Sequence, residues 1–101
     1  MPDTLIERLR ADLTRARKDR DRLRTTTLST FLSEVRNREI ELGRGAADDD
    51  VRGLLTTAIK RRREASEQMR AGSRVELAEK EEQEAALLQA YLPPALEEDE
   101  V

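Results

Sequence analysis

Residues 59–93 read IKRRREASEQMRAGSRVELAEKEEQEAALLQAYLP, and this stretch decides the fold. Apolar residues recur at helical period on both sides of Ala71-Gly72, which predicts two long helices folded back on each other. Gly72 is the expected stop of the first, because glycine enters the left-handed conformation without a Cβ clash. Ser73 and Glu76 then supply an S-x-x-E capping box for the second, which Pro93 and Pro94 bring to an end.

Each helix carries a charge where its stripe calls for an apolar residue. Val51, Leu54, Leu55, Ala58, Ile59, Ala65 and Met69 share one face, with Arg62 near its middle. Leu77, Ala78, Ala85, Leu88, Tyr91 and Leu92 form the facing stripe, with Glu81 near its middle. An unpaired buried charge costs several kcal/mol, so Arg62 and Glu81 are expected to pair across the hairpin.

Upstream, Thr4 and Glu7 form another capping box, with Asp3 as a competing cap. A first helix is expected over residues 4–18, with Leu5, Ile6, Leu9, Leu13 and Ala16 on its apolar face. Asp19 to Arg22 is either a tight break or the first turn of the next helix. A second helix runs over about residues 21–42 to Gly43, with Leu28, Phe31, Leu32, Val35 and Leu42 inward. Thr25 to Thr27 are poor helix formers, so tertiary packing must hold that turn. Arg24 and Glu39 project towards its apolar side and extend the expected Arg62–Glu81 network. Gly43 to Ala47 make a loop, and Asp48, Asp49 and Asp50 open the third helix, where the helix dipole favours negative charge. A metal reading of the three aspartates is weak, because adjacent helical side chains point different ways.

The chain has 101 residues, 41% of them charged, with two aromatics. That suits one small all-α domain, a four-helix bundle-like unit of antiparallel helices over residues 1–94. Residues 95–101 read as an acidic tail or as the start of a further helical subdomain. No cysteine or histidine is present, which excludes disulfides, His or Cys metal sites and His-based catalysis. The N-terminus has no apolar signal region, so the expected localisation is cytoplasmic, without membrane contact. Net charge is +4 over residues 1–72 and −7 over residues 73–101. The two halves either attract each other within the fold or present an RNA-facing front.

The ordered set of motifs resembles the GatB/YqeY family. It comprises Leu23-Arg24, Arg38-Glu39-Ile40-Glu41, Lys60, Arg62, Ala71-Gly72, Arg74, Glu76-Leu77-Ala78, Lys80-Glu81, Glu84, Tyr91-Leu92-Pro93 and Leu96. Two departures stand out. Ser73 looks like an insertion before Arg74, and family members typically continue past Leu96 into a second helical subdomain, so this chain is either truncated or naturally short. The resemblance implies the helical module that forms the tail of the B subunit of glutamine-dependent aminoacyl-tRNA amidotransferases, where it contacts tRNA. Stand-alone relatives usually carry a carbon–nitrogen ligase label with glutamine as amide donor.

The residues themselves do not supply that chemistry. No Cys nucleophile and no Gly-rich phosphate loop exist, and Ser29, Ser33, Ser66 and Ser73 have no obvious base. No catalytic residue, metal or cofactor is therefore assigned. The expected function is a non-catalytic module that binds tRNA or an amidotransferase subunit. Lys60, Arg61 and Arg63 are candidate phosphate contacts, with Arg36, Arg38 and Arg44 adding to the patch. The plainer alternative makes them solvated charges with helical partners, Lys60 with Glu64 and Arg63 with Glu67. A second function class is a protein–protein or self-association module, with Ile40, Leu87 and Leu96 lining an exposed apolar flank.

Overall fold

The computed structural model describes residues 3–93. It is built of four helices, α1 (Leu5–Lys18), α2 (Arg22–Leu42), α3 (Asp48–Ala71) and α4 (Val75–Gln89), with no strand among the described residues. The all-α bundle-like expectation is met. Two antiparallel hairpins, α1–α2 and α3–α4, pack on each other, and the α3–α4 interface is the more extensive.

Helix starts follow local chemistry. Thr4 Oγ1 accepts from the Glu7 N–H at 3.1 Å, and the Glu7 carboxylate accepts from the Thr4 N–H at 3.2 Å and the Asp3 N–H at 2.9 Å. Thr4, not Asp3, is thus the cap. Those backbone donors hold the Glu7 carboxyl below its ordinary range. Asp21 caps α2 by accepting from the Arg24 N–H at 3.1 Å, so Asp19 to Asp21 is a tight break. The three aspartates that open α3 serve three different partners. Asp48 Oδ1 accepts from the Leu5 N–H at 3.0 Å, Asp49 takes Arg52 at 2.6 Å, and Asp50 accepts from Arg44 and from the Ala47 N–H, each at 2.9 Å. Leu5 to Asp48 ties the start of α1 to the start of α3.

The turn between α3 and α4 departs from the expectation. Gly72 has φ −90° and Ser73 has φ +63°. The Arg74 N–H donates to Met69 O at 2.7 Å and the Ser73 N–H to Arg70 O at 3.0 Å, the paired bonds of a Schellman ending. Ser73 is the left-handed residue of that ending, and Gly72 falls one position too early to serve. With Ser73 so placed, the Ser73–Glu76 capping box does not form, and Arg74 begins α4 without a side-chain cap. Arg20 is likewise left-handed, φ +56°, at the end of α1. Only α2 ends on a left-handed glycine, Gly43, φ +71°. Two substitutions in the hairpin turn test this geometry. Ser73→Gly is expected to stabilise by up to about 1 kcal/mol by relieving left-handed strain. Gly72→Ala is expected to stabilise by about 0.5 kcal/mol, mainly by restricting the unfolded chain. Its Cβ would meet only Gln68 O at 3.6 Å and Met69 O at 3.7 Å. Urea unfolding of both variants checks this, and destabilisation by Gly72→Ala would return the left-handed role to residue 72.

The core is gathered at one end of the α3–α4 hairpin. Leu9, Leu28, Phe31, Val51, Leu55 and Leu88 are fully buried there, joined by Ile59, Tyr91 and Leu92. Thr27 is buried too, and its hydroxyl has no partner among the described residues. That orphan costs about 1–3 kcal/mol, which the surrounding packing must offset, as the threonine run suggested. Two stripe assignments are corrected. Leu77 is 46% exposed, because it lies in the first turn of α4, at the hairpin end remote from that core. α4 itself ends at Gln89, before the prolines, and Tyr91 and Leu92 continue as a turn with N–H bonds to Leu88 O and Gln89 O, each 3.0 Å.

Candidate nucleic-acid interface

The charges inside the α3–α4 stripes do pair, but not as expected. Arg62 Nε meets Glu84 Oε1 at 3.3 Å, both side chains nearly buried, and a second guanidinium nitrogen reaches Ala58 O at 3.3 Å. Glu81, the expected partner, is half-buried and has no ion pair among the described residues. The cause is axial register. Arg62 faces Glu84, Ser66 faces Glu82 and Arg63 faces Gln89, so meeting Glu81 would need one helix to slide by nearly a turn, about 4.5 Å. Nor do Arg24 and Glu39 extend this pair. Arg24 bridges Asp21 at 3.5 Å on the surface, and the Glu39 carboxylate accepts from the Ala46 N–H at 2.9 Å, closing the α2–α3 loop. The expected network is three separate local arrangements.

A further polar cluster was not anticipated. Ser66 is buried and its hydroxyl donates to Glu82, whose two oxygens also take Arg70 Nε and NH2, each at 2.8 Å. Arg70, and then Ser66, hold the Glu82 carboxyl down at about 2. So acidic a carboxylate is a poor general base at neutral pH, and the serine beside it is not activated. The arrangement is a cross-hairpin fastening. Positions 62, 66 and 70 form a polar row at spacing four, a signal that was present in the sequence.

The candidate phosphate contacts are largely occupied. Arg61 bridges Glu34 at 3.5 Å, Arg63 donates to Gln89 at 3.1 Å, Arg38 pairs with Glu41 at 3.0 Å, and Arg44 pairs with Asp50 at 2.9 Å. Lys60 and Arg36 are exposed and have no carboxylate within ion-pair distance among the described residues. The helical pairs Lys60–Glu64 and Arg63–Glu67 are absent there too. Arg61 and Arg63 instead take partners on other segments. Phosphate at Arg38, Arg44, Arg61 or Arg63 would compete with a partner already in reach.

Unpaired positive charge concentrates elsewhere. Arg10, Arg15, Arg17, Lys18, Arg20 and Arg22 lie exposed along α1 and its turn into α2, none within ion-pair distance of a described carboxylate. The groove between α1 and α2, about 270 Å³, brings Arg10 and Arg17 together with Arg36, Ser29 and Ser33. A wider groove of about 740 Å³ runs along α3 to Gln89 and Leu92, and Lys60, Arg63, Glu64 and Glu67 line it with both signs of charge. The exposed large apolar side chains among the described residues are Ile40, Val75 and Leu77. Leu87, expected beside Ile40, is half-buried, and Leu96 and the segment 95–101 lie outside the described residues. No described helix is long and apolar enough to cross a membrane.

Residues 6–101 match the family described as Yqey-like protein. An uncharacterized protein of Schizosaccharomyces pombe is 36% identical over 84% of this chain and 69% of its own length. Altered inheritance of mitochondria protein 41, mitochondrial, is 34% identical in Vanderwaltozyma polyspora, over 83% of this chain and 46% of that protein. Its counterpart in Lachancea thermotolerans is 31% identical over 86% of this chain and 47% of that protein. The chain thus spans about half the length of the mitochondrial relatives it matches.

Proposed function

The chain belongs to the Yqey-like protein family, and from that membership we propose that it is a non-catalytic helical module that binds tRNA in tRNA-dependent amidation. The observation that carries this reading is the band of unpaired cations on α1 and the α1–α2 turn, set against an acidic second half. Positive charge without internal partners is what contact with a phosphate backbone uses, and each contact releases counterions. Catalysis is not part of the proposal. The buried serine is tied to a carboxylate too acidic to serve it as base. Phe31 and Tyr91 are buried and offer no stacking platform, which favours backbone contact over base reading.

The test is a titration of labelled bulk tRNA with the chain, monitored by fluorescence anisotropy. Saturable binding is expected. With about four phosphate contacts it should weaken about 50- to 150-fold between about 50 and 200 mM salt. Absence of binding at the lower salt overturns the RNA reading and turns attention to the apolar residues Ile40, Val75 and Leu77 as a protein-contact surface.

A further inference from the structure

We propose that the α1–α2 groove is the phosphate cradle of this surface, with Arg10, Arg17 and Arg36 gripping the backbone of a bound RNA. The inference rests on the RNA reading above and adds the residues that carry it. Arg10 and Arg17 are seven residues apart on α1, so they share one face about 10 Å apart along the axis. Ser29, Ser33 and Arg36 share one face of α2 by the same spacing rule, and all five residues line the groove.

Three arginines therefore line one groove, none with a carboxylate in ion-pair reach among the described residues. Glu39 also lines the groove; the Ala46 N–H holds its carboxylate towards the α2–α3 loop without cancelling its charge, so three arginines and one glutamate leave the groove net positive. The Ser33 hydroxyl donates to Ser29 O at 3.2 Å, and the Ser29 hydroxyl makes no hydrogen bond among the described residues, which leaves it available to a ligand oxygen. Leu13, Leu32 and Val35 form the floor, an apolar bed that lowers the local dielectric and strengthens a charge pair formed above it. Like charges held together repel and weaken the fold unless an anion joins them. Guanidinium forks match phosphate oxygens in pairs, so the phosphodiester is the anion that fits. The wider groove on α3 lacks this character, since Glu64 and Glu67 line it beside Lys60 and Arg63.

The experiment compares the wild-type chain with Arg10→Gln/Arg17→Gln/Arg36→Gln and with Lys60→Gln/Arg61→Gln/Arg63→Gln in the same tRNA titration. Glutamine keeps much of the aliphatic stem over the apolar floor, and none of the six positions is buried, so both variants should fold. The groove triple should melt at or slightly above wild type and the α3 triple, which loses two exposed contacts, slightly below it. The single variant Arg36→Gln serves if the groove triple does not. Expected is a loss of about 30-fold at low salt for the groove triple, with a salt slope shallower by about 2, and a change of under about 3-fold for the α3 triple. If the groove triple binds as wild type does, this assignment fails while the RNA reading stands. If the wild type does not bind, both fail. Displacement by polyglutamate as effective as displacement by polyuridylate at matched charge would assign the groove to protein carboxylates and overturn the phosphate assignment.

Discussion

Glu84→Ala is expected to cost about 3–5 kcal/mol of folding stability, because it leaves the Arg62 guanidinium nearly buried and without its carboxylate. The side chains of Arg62 and Glu84 are 12% and 13% exposed, and they sit on the facing stripes of the α3–α4 hairpin. The one remaining tie of Arg62 among the described residues is Ala58 O, a neutral acceptor one turn back on its own helix. Over a chain of this size the loss should lower the melting temperature by about 12–20 °C. Glu81→Ala is the control. Glu81 is three residues away on the same helix with no ion pair among the described residues, so its removal should change stability by less than about 0.5 kcal/mol. The double variant Arg62→Met/Glu84→Leu should recover most of the loss, since it removes both charges and keeps the volume. Chemical denaturation of all three variants gives the answer. A large effect at Glu81 and a small one at Glu84 would mean that the hairpin register is shifted by almost a turn.

That contrast shows what the sequence could and could not reveal. Periodicity placed Arg62 on the inward face of α3, and it is there, because a helix fixes which residues share a face. It could not fix how far α4 slides along α3, since the facing stripes are mainly alanine and leucine and accept more than one register. Helix starts and stops were legible where one residue decides them, as at Thr4 and Gly43, whereas Asp19 to Arg22 left two readings open until the fold showed Asp21 as a cap. They were misread where a backbone pattern overrides residue preference. The Schellman bonds at Arg74 and Ser73 place the left-handed position on serine although a glycine stands beside it. The pairing of the basic residues was hidden for a related reason. Charge runs such as Lys60 to Arg63 are conspicuous in sequence, whereas partners supplied by other segments, Glu34 and Gln89 here, are visible only in the fold. Arg10 and Arg17 share a face of α1 but form no run, and only the pairing of α1 with α2 brings Arg36 to them.

Tyr91→Ala is expected to match Glu84→Ala in cost, about 3–5 kcal/mol, for a different reason. The backbones of α1 and α4 do not approach each other closely, and α4 ends at Gln89. What joins the last described segment to the first helix is the Tyr91 side chain in the turn beyond α4. Its ring is buried in the core, its hydroxyl donates to Asp12 Oδ2, and the Arg8 guanidinium lies over the ring at 4.8 Å. Burial, and then the Asp12 carboxylate, push the phenol well above its ordinary pKa, so it remains a donor throughout the usual working range. Tyr91→Phe keeps the ring and removes only the charge-assisted bond, and should cost about 1.5–3 kcal/mol or less, since Asp12 retains some solvent. The two variants separate packing from hydrogen bonding. If packing dominates, alanine costs at least about 2 kcal/mol more than phenylalanine. Because this ring and the Leu5–Asp48 bond add to the packing of α1 on α2 and α3, loss of the ring should act locally first. Amide exchange along Leu5–Lys18 should accelerate more than along Asp48–Ala71. Equal acceleration in both helices would show that α1 and α3 open as one unit, and that Tyr91 supports the whole core rather than fastening its first helix.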